Sequence, residues 1–190
     1  MFNLLTLKEV IRITPKQFSL SLKEAAINEL RAKYEGLVDE DLGYVISVID
    51  AEVNPVGRIL PGDGGTHHQV IFTILTFLPQ LQEVVEGEVI EVADFGTFLR
   101  IGPVDALLHV SQLIDDFISY DEKQGILLGK ETGRTISKGD LFRVRIIAVS
   151  FPKGRSSGKI GVTARQPFLG KLEWIEKEIK KIREEETGKQ

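Results

Sequence analysis

The feature that most constrains the fold of this chain is a run of short apolar strands, separated by turns, in its second half. We predict five strands, at approximately residues 84–93, 95–101, 104–109, 139–150 and 158–165. Short strands punctuated by glycine are typical of a small closed β-barrel, because each strand needs a sharp corner before the next. The sequence therefore predicts a five-stranded barrel at residues 81–166.

A long insertion separates the third and fourth predicted strands, at residues 115–137. Loops without secondary structure rarely exceed about 15 residues inside a compact domain. The apolar piece Gly125–Leu128 therefore predicts an extra hairpin within the insertion. A second connection, the glycine-rich basic segment at residues 151–159, is predicted to be a flexible loop.

The first 80 residues combine extended and helical patterns. Ser21 and Glu24 have the spacing of a capping box, in which each residue satisfies a backbone group of the other, and they predict a helix at about residues 21–35. Extended apolar patterns precede and follow this helix, at residues 2–13, 44–60 and 70–78. We therefore predict an α+β domain at residues 1–80.

The last segment, residues 167–190, is predicted to be an amphipathic helix with a charged tail. Its apolar residues recur at helical spacing along one narrow stripe: Leu172, Ile175, Ile179 and Ile182. One stripe needs one partner surface, which is either the chain's own barrel or another subunit. The predicted fold class is thus an α+β N-terminal domain, an all-β five-stranded OB-fold barrel and a C-terminal helix.

Several functional classes are disfavoured by composition. The chain has no cysteine and three histidines, which excludes disulfides, a thiolate nucleophile and cysteine zinc sites. The loop PGDGGTHH at residues 61–68 lacks the spacing and the lysine of a nucleotide-binding P-loop. His67 and His68 would point to opposite faces of a strand, so a metal site that uses both of them with Asp63 is disfavoured.

Two further candidates for chemistry are incomplete. Asp115 and Asp116 are adjacent carboxylates, but no other acids at suitable spacing complete a two-metal site. His109 and Ser111 share a face of an extended chain, but no third group that could orient the histidine is apparent. We therefore predict a chain without catalytic activity of its own, without a metal and without a cofactor.

The apolar segments are too short to indicate a membrane protein. No apolar run approaches the roughly 20 residues that span a bilayer. The first residues lack the basic region, the continuous apolar run and the cleavage site of a signal peptide. We therefore expect a soluble, cytoplasmic protein that does not contact a membrane.

Charge is distributed unevenly along the chain. The formal net charge of -4 argues against coating of nucleic acid by charge alone. Residues 141–170, however, contain no acid, and their bases are Arg143, Arg145, Lys153, Arg155, Lys159 and Arg165. Such a basic stripe suits a phosphate backbone, although an ordinary solvated strand pair would have the same composition.

Two phenylalanines, an arginine and a histidine occur close together around the second and third predicted strands. Phe98 and Arg100 lie two residues apart, so they share one face of a strand. Gly96 allows the backbone to bend so that Phe95 approaches them, and His109 ends the next strand. Such a group of side chains could bind an unpaired base and its phosphate. The alternative is that the two phenylalanines belong to the barrel core, as phenylalanines in a small barrel more often do.

Three segments resemble the S-one-type RNA-binding domain: residues 83–113, KGDLFRVRIIAV and GKIGVTARQP. They carry the domain's succession of G-x-V, FG-x-F and L-x-H-x-S. The resemblance implies an OB-fold barrel in which Phe95, Phe98 and His109 face RNA. With the nearby bases, the predicted RNA-binding residues are Phe95, Phe98, Arg100, His109, Arg143, Arg145 and Lys159.

The chain departs from this domain's pattern at three positions. Ser150 and Lys159 stand where the domain often has an acidic residue and an arginine. Ala106 replaces the glycine that is common before L-x-H. The first two departures lead us to expect a difference in RNA affinity or in strand polarity, and the third is milder.

The chain as a whole resembles a narrower family, the larger stalk subunits of archaeal DNA-directed RNA polymerase, also known as E-prime subunits. The resemblance rests on the GDG loop within an α+β unit, the insertion YDEKQGILLGKE and the ending RQPFLGKLEWI. It implies a non-catalytic polypeptide that docks on the polymerase core, forms a heterodimer with the smaller stalk subunit, known as F, and binds the emerging single-stranded RNA transcript. The implied core-docking residues are Gly62, Asp63, Gly64 and Gly65.

Two other interpretations compete with this one. An OB-fold factor of translation or RNA decay could use the same barrel, but the related initiation factors would place the barrel first in the chain. A hydrolase or nuclease is disfavoured because no complete catalytic site is apparent.

Overall fold

The computed structural model describes residues 1–151 and 158–187, with side chains described up to residue 184. The chain divides into two compact units, Met1–Leu78 and Pro79–Gln190, and each has its own buried apolar core. No helix in the described residues combines the length and the apolar composition that are needed to cross a membrane.

The first unit is an antiparallel sheet with one helix packed on one face. Its elements are β1 (Phe2–Ile13), α1 (Leu22–Tyr34), β2 (Val38–Asp39), β3 (Gly43–Val53), β4 (Arg58–Ile59) and β5 (Thr66–Phe77). The strand order is β1, β5, β3 and β2, and β4 pairs with β5. Ala26 and Leu30 of the helix are fully buried against the sheet, together with Phe72 of the central strand. The predicted α+β class is confirmed.

The helix begins where the capping box predicts. The hydroxyl oxygen of Ser21 accepts a hydrogen bond from the backbone N–H of Glu24 at 3.2 Å. The carboxylate of Glu24 accepts one from the backbone N–H of Ser21, also at 3.2 Å. These two bonds satisfy donors that a helix start otherwise leaves unpaired, so the predicted boundary is confirmed to within one residue.

The second unit is a closed barrel with an insertion and a C-terminal helix. Its elements are β6 (Val84–Ala93), β7 (Gly96–Ile101), β8 (Val104–His109), β9 (Ile118–Asp121), β10 (Ile126–Gly129), β11 (Thr135–Ile136), β12 (Leu141–Ser150), β13 (Lys159–Thr163), β14 (Gly170–Lys171) and α2 (Leu172–Thr187). The strand order is β13, β8, β7, β6, β12 and β14, and an additional pairing of β12 with β13 closes the barrel. The five predicted barrel strands are therefore confirmed.

Alternate residues of the barrel strands fill its interior. Leu99, Leu108, Phe142 and Val162 are buried in one apolar cluster. The residues between them on each strand face outward, as strand alternation requires. A binding surface can therefore form only on the outward-facing residues of these strands.

The insertion is more extensive than the predicted hairpin. It forms a three-stranded sheet in which the segment predicted as a hairpin is mostly the central strand, β10. Leu127 of β10 and Ile136 of β11 are each 1% exposed and belong to the same apolar cluster as the barrel interior. The insertion thus extends the core of the second unit.

The barrel unit itself covers the start of α2. Ile175 is buried, and the Trp174 ring meets the Phe142 ring edge to face at a centroid distance of 5.7 Å. The guanidinium of Arg134, from the insertion, lies 4.9 Å from the Trp174 ring centroid. Farther along the helix, Ile182 is exposed. The apolar stripe is therefore only partly covered, and Trp174, which lies outside the predicted stripe, adds a ring contact with the barrel core.

Adjacent leucines of the insertion provide a test of its part in the core. Leu127 is 1% exposed, and Leu128 is 38% exposed. We expect Leu127→Ala to lower the free energy of unfolding of the second unit by about 2–5 kcal/mol, because it removes buried methyl groups and leaves a cavity. The measurement is urea unfolding followed by the fluorescence of Trp174, which is the chain's only tryptophan.

The matched control is Leu128→Ala, which we expect to cost clearly less than Leu127→Ala because Leu128 is partly exposed and does not belong to the buried cluster. Equal losses for the two variants would contradict the assignment of the insertion to the core.

Candidate nucleic-acid interface

A groove of about 560 Å³ lies on the outer surface of the barrel, where β7 and β8 meet the end of β12 and the start of β13. Its lining is mainly apolar and includes Phe95, Phe98, Leu107 and Ile160. Its polar side chains are those of Asp105, Ser150 and Lys159. Segments that are distant in sequence therefore form one concave surface.

The two phenylalanines form an exposed platform. Their rings meet edge to face, with centroids 6.1 Å apart and planes at 85°. Phe95 is 45% exposed and Phe98 is half-buried, whereas Thr97 and Leu99 between and beyond them are buried. Neither ring belongs to the barrel core, so the structure supports the platform interpretation over the core interpretation.

The close approach of two strands sets the position of Phe95. A Cβ atom on Gly96 would clash with the carbonyl oxygen of Leu108 on the neighbouring strand, so only glycine fits there. The turn that carries Phe95 is also fixed by a 3.0 Å hydrogen bond, in which the backbone N–H of Val110 donates to the carbonyl of Phe95. Glycine at position 96 is therefore required by the close approach of β8, and this glycine helps to set the position of Phe95.

His109 ends β8 beside this turn and is exposed. Its Nδ1 accepts a hydrogen bond from the backbone N–H of Ser111 at 3.2 Å and lies 2.9 Å from the Ser111 hydroxyl oxygen. Since a backbone N–H can only donate, Nδ1 is an acceptor, and the neutral ring carries its proton on Nε2. The side chain can thus donate one hydrogen bond to a ligand through Nε2.

Arg100 is held by an acidic neighbour. It lies directly opposite Asp105 in the pairing of β7 with β8, and its Nε and Nη2 donate to the two carboxylate oxygens at 3.0 and 3.4 Å. The hydrogen bonds and the charge of Asp105 raise the pKa of Arg100. Arg100 is therefore paired and does not act as an isolated cation.

The predicted basic stripe does not converge on the groove. Arg143 donates to Glu86 at 2.8 and 3.0 Å across the pairing of β12 with β6. Ser150 lines the groove, and Arg143 lies seven residues before it on β12. At the usual rise per residue of a strand, this separation is roughly 20 Å. Arg145 lies on the same half of β12 as Arg143, and its Nε is buried without a hydrogen-bond partner among the described residues.

Of the basic residues predicted to bind RNA, Lys159 is the one that lines the groove. Among the described residues, no carboxylate forms an ion pair with it. Two further bases of the stripe, Lys153 and Arg155, lie outside the described residues, as does most of the predicted basic loop.

Arg165 has a supporting role that its sequence position did not indicate. Its guanidinium donates to the carbonyl of Ser111 at 3.2 Å and also binds the carboxylate of Asp115. The next residue toward the N-terminus, Ala164, donates its backbone N–H to the carbonyl of Gln112 at 2.8 Å. These contacts fix the turn that follows His109, so Arg165 contributes to the site by positioning it.

The glycine-rich loop of the first unit is organised around Asp63. The Asp63 carboxylate accepts hydrogen bonds from Nε and Nη2 of Arg12, with the shortest at 2.6 Å, and from the backbone N–H of Gly65 at 2.9 Å. Nε2 of His67 lies 2.9 Å from it. These donors, Arg12 first, hold the pKa of Asp63 well below its usual range. Asp63 thus shapes the loop from within.

The two adjacent histidines point apart, as predicted. His67 contacts Asp63, whereas His68 is buried with its Nδ1 2.9 Å from the carbonyl oxygen of Asn54. The ring of His68 packs so closely over Gly57 that a Cβ atom there would clash with it. No cluster of three or more potential metal ligands occurs among the side chains of residues 1–151 and 158–184.

An apolar surface lies next to the glycine-rich loop. A shallow pocket of about 480 Å³ is lined by Val10, Val56 and Leu60 together with polar residues that include Arg58 and His67. All three apolar side chains are exposed, Val56 the most at 78%. We call Val10, Val56 and Leu60 the tip patch. The sequence pattern did not indicate it, because isolated exposed apolar residues are common on protein surfaces.

Comparison with known proteins gives matches to both units. Residues 8–64 match the SHS2 domain found in the N terminus of Rpb7p/Rpc25p/MJ0397. Residues 78–161 match the S1 RNA binding domain.

Relatives match the chain over most of its length. DNA-directed RNA polymerase subunit Rpo7 of Saccharolobus shibatae is 42% identical over 92% of this chain and 97% of its own length. The protein of the same name from Sulfolobus acidocaldarius is 42% identical over 95% of this chain and 98% of its own length. DNA-directed RNA polymerase III subunit RPC8 of Bos taurus is 26% identical over 92% of this chain and 98% of its own length.

The ion pair within the glycine-rich loop can be tested by titration. We expect Arg12→Met to raise the pKa of Asp63 toward its ordinary value of about 3.9, because the first cause of its depression is removed. In the wild-type chain, the stabilising contribution of this carboxylate is present above the ordinary pKa and is lost as the pH falls through the lower folded pKa. The measurement is an NMR titration of the Asp63 carboxyl carbon.

Asp116 is the internal control, because its pKa is also lowered but by hydrogen bonds from Thr132, in the second unit. An unchanged pKa of Asp63 in the Arg12→Met variant would show that Arg12 does not organise the loop.

Proposed function

The chain belongs to the family of the archaeal DNA-directed RNA polymerase subunit Rpo7, and on this basis we propose that it links the polymerase core to single-stranded RNA. It is a non-catalytic component of the polymerase. In the proposed mechanism, the first unit docks on the core, and the barrel binds the transcript as it emerges. A role as a factor of translation or RNA decay is not favoured, because the polymerase relatives match both units.

The observation that carries the RNA-binding proposal is the exposed platform of Phe95 and Phe98 inside an apolar groove. Every base has an aromatic face, so stacking on such a platform tolerates any sequence and contributes about 1–3 kcal/mol per base. Tolerance of sequence suits a protein that meets every transcript. The groove can therefore bind RNA although the net charge of the chain is -4.

The polar groups around the platform suit a phosphate-linked strand. Lys159 lies in the groove without an acidic partner among the described residues, so its charge is available to a phosphate. Nε2 of His109 can donate to a phosphate or to a 2′-hydroxyl. Arg143 and Arg145 lie away from this groove, and we propose for them at most a secondary contact with a longer RNA.

The tip patch and the adjacent loop support the proposed docking on the core. Glycines lack a Cβ atom, so a glycine-rich turn allows the backbone of a partner to approach closely. The exposed apolar side chains beside it are typical of an interaction site. Asp63 already accepts several hydrogen bonds from its own chain, so we assign it to shaping the loop. The docking contacts themselves then fall to Gly62, Gly64, Gly65 and the tip patch.

We also propose that the chain forms a heterodimer with the smaller stalk subunit of the polymerase and works in the cytoplasm. Family membership supports both proposals. A further support is the sheet of the first unit, whose face opposite α1 exposes Leu4 and Ile71. Exposed apolar side chains that cluster on one face are typical of a protein–protein interaction site.

The RNA site can be tested with two substitutions in the groove. We expect Phe98→Ala to weaken binding of single-stranded RNA about tenfold, because one stacking surface is lost. Lys159→Ala should reduce the slope of log affinity against log salt by about one, because one phosphate contact is lost. Both effects can be measured by fluorescence anisotropy with a labelled ten-nucleotide RNA at several salt concentrations.

Matched controls come from the same unit. Phe117→Ala removes a phenylalanine that is 73% exposed and does not line the groove, and Arg143→Ala removes a cation that is paired with Glu86. We expect both controls to bind a short RNA as the wild type does. If the controls lose as much affinity as the groove variants, the site is elsewhere on the barrel.

The docking proposal is tested on the tip patch. We expect the combined change of Val56→Ser and Leu60→Ser to weaken assembly with the polymerase core by about tenfold or more, because central apolar contacts dominate interface energies. The measurement is reconstitution with core subunits, followed by size-exclusion chromatography. Phe18→Ser, at another exposed apolar residue of the first unit, is the control. Normal assembly of the double variant would refute docking through the tip patch.

A further inference from the structure

An acidic side chain lines the groove that we propose for RNA. Asp105 of β8 lies in the groove with Phe98 and Leu107, although a carboxylate repels phosphates. In the register of the sheet, Leu107 is directly opposite Phe98, and Asp105 is directly opposite Arg100. Asp105 is therefore a diagonal neighbour of Phe98 on the same face, at a typical separation of about 7–8 Å. An edge of a base stacked on Phe98 can reach across this separation.

The pairing with Arg100 suits Asp105 to the recognition of a base rather than of a phosphate. Arg100 contacts both carboxylate oxygens, at 3.0 and 3.4 Å, and so orients the carboxylate. Its positive charge offsets part of the negative charge of Asp105, because Glu88 faces the same guanidinium from β6. An ionised carboxylate has about four lone-pair positions and donates nothing. Arg100 occupies about one lone-pair position on each carboxylate oxygen. The remaining lone-pair positions are available to hydrogen-bond donors of a ligand.

The bases differ in the donors that they present to such an acceptor. Cytosine carries an amino group at N4 and adenine at N6, and guanine carries N–H groups at N1 and N2. Uracil presents carbonyl oxygens at the positions that flank its single N–H, and these oxygens repel a carboxylate. Carboxylate side chains accordingly read cytosine through its N4 amino group.

We propose that Asp105, oriented by Arg100, makes the groove select bases that carry an exocyclic amino group over uracil. The inference rests on the proposed RNA-binding function and adds a specificity-determining residue to the same groove. Stacking on Phe98 supplies affinity for any base, and the carboxylate of Asp105 supplies the preference among bases.

The cleanest comparison is between cytosine and uracil, which have the same size and differ in the group at C4. The full 190-residue chain is titrated by anisotropy against labelled ten-nucleotide oligocytidylate and oligouridylate at one fixed salt concentration. We expect the wild type to bind oligocytidylate about fivefold more tightly or better, as one hydrogen-bonded base contact predicts. Asp105→Asn should bring the two affinities close together, because a carboxamide can accept from cytosine and donate to uracil.

The chain provides a matched control for the loss of a carboxylate. Glu86 also forms a cross-strand pair with an arginine, Arg143, on the outer surface of the barrel, but it does not line the groove. Glu86→Gln removes the same charge from a cross-strand pair with an arginine. We expect this variant to keep the wild-type preference for cytosine. Asp105→Ala is a second groove variant and should also lose the preference.

The possible outcomes separate this inference from the function on which it rests. Equal binding of the two oligonucleotides by the wild type, with Phe98→Ala still weakening both, would overturn the role of Asp105 and leave RNA binding intact. A cytosine preference that persists in both Asp105→Asn and Asp105→Ala would likewise overturn the role of Asp105 and leave RNA binding intact. If the wild type binds neither oligonucleotide, the RNA-binding function and this inference are both overturned.

Discussion

Closure of the barrel between β12 and β13 is the interaction on which the candidate RNA surface depends. The pairing sets Ser150 opposite Lys159 and continues toward Thr163. It also brings β13 beside β8, where Gly161 pairs in parallel with Leu107. One wall of the groove comes from this closing pair, and the other comes from the aromatic platform on β7 and the turn before it. Without closure, the platform would be an isolated patch on an open sheet.

Ion pairs on both units shape surfaces more than they supply free charge. Arg12, Arg100, Arg143 and Arg165 each contact a carboxylate in the described structure. Exposed pairs of this kind contribute little to stability. They orient the paired side chains, and the two opposite charges neutralise each other locally. The proposed RNA binding in the groove therefore relies mainly on aromatic stacking, and Lys159 is its base without an acidic partner among the described residues. This arrangement explains how an acidic chain can be suited to RNA.

Local patterns predicted the elements well because their causes are local. The capping box of Ser21 marked the start of α1, and alternation placed Phe98 on the same face of β7 as Arg100. The predictions were incomplete where distant segments meet. The insertion is a three-stranded sheet that joins the core, and Trp174 anchors α2 through a ring contact with Phe142. Neither contact leaves a periodic signal in the sequence, because each joins residues far apart in the chain.

The sequence by itself determined the order of the main helices and barrel strands and the aromatic motif, because strand alternation, helix capping and turn residues act over a few neighbours. Only the tertiary structure decided which bases share the groove. Strand register places Lys159 beside the platform and Arg143 opposite Glu86, on another part of the barrel. It also places Asp105 inside the groove. Charge can be counted in a sequence, but its availability depends on which residues the strand pairing sets opposite each other.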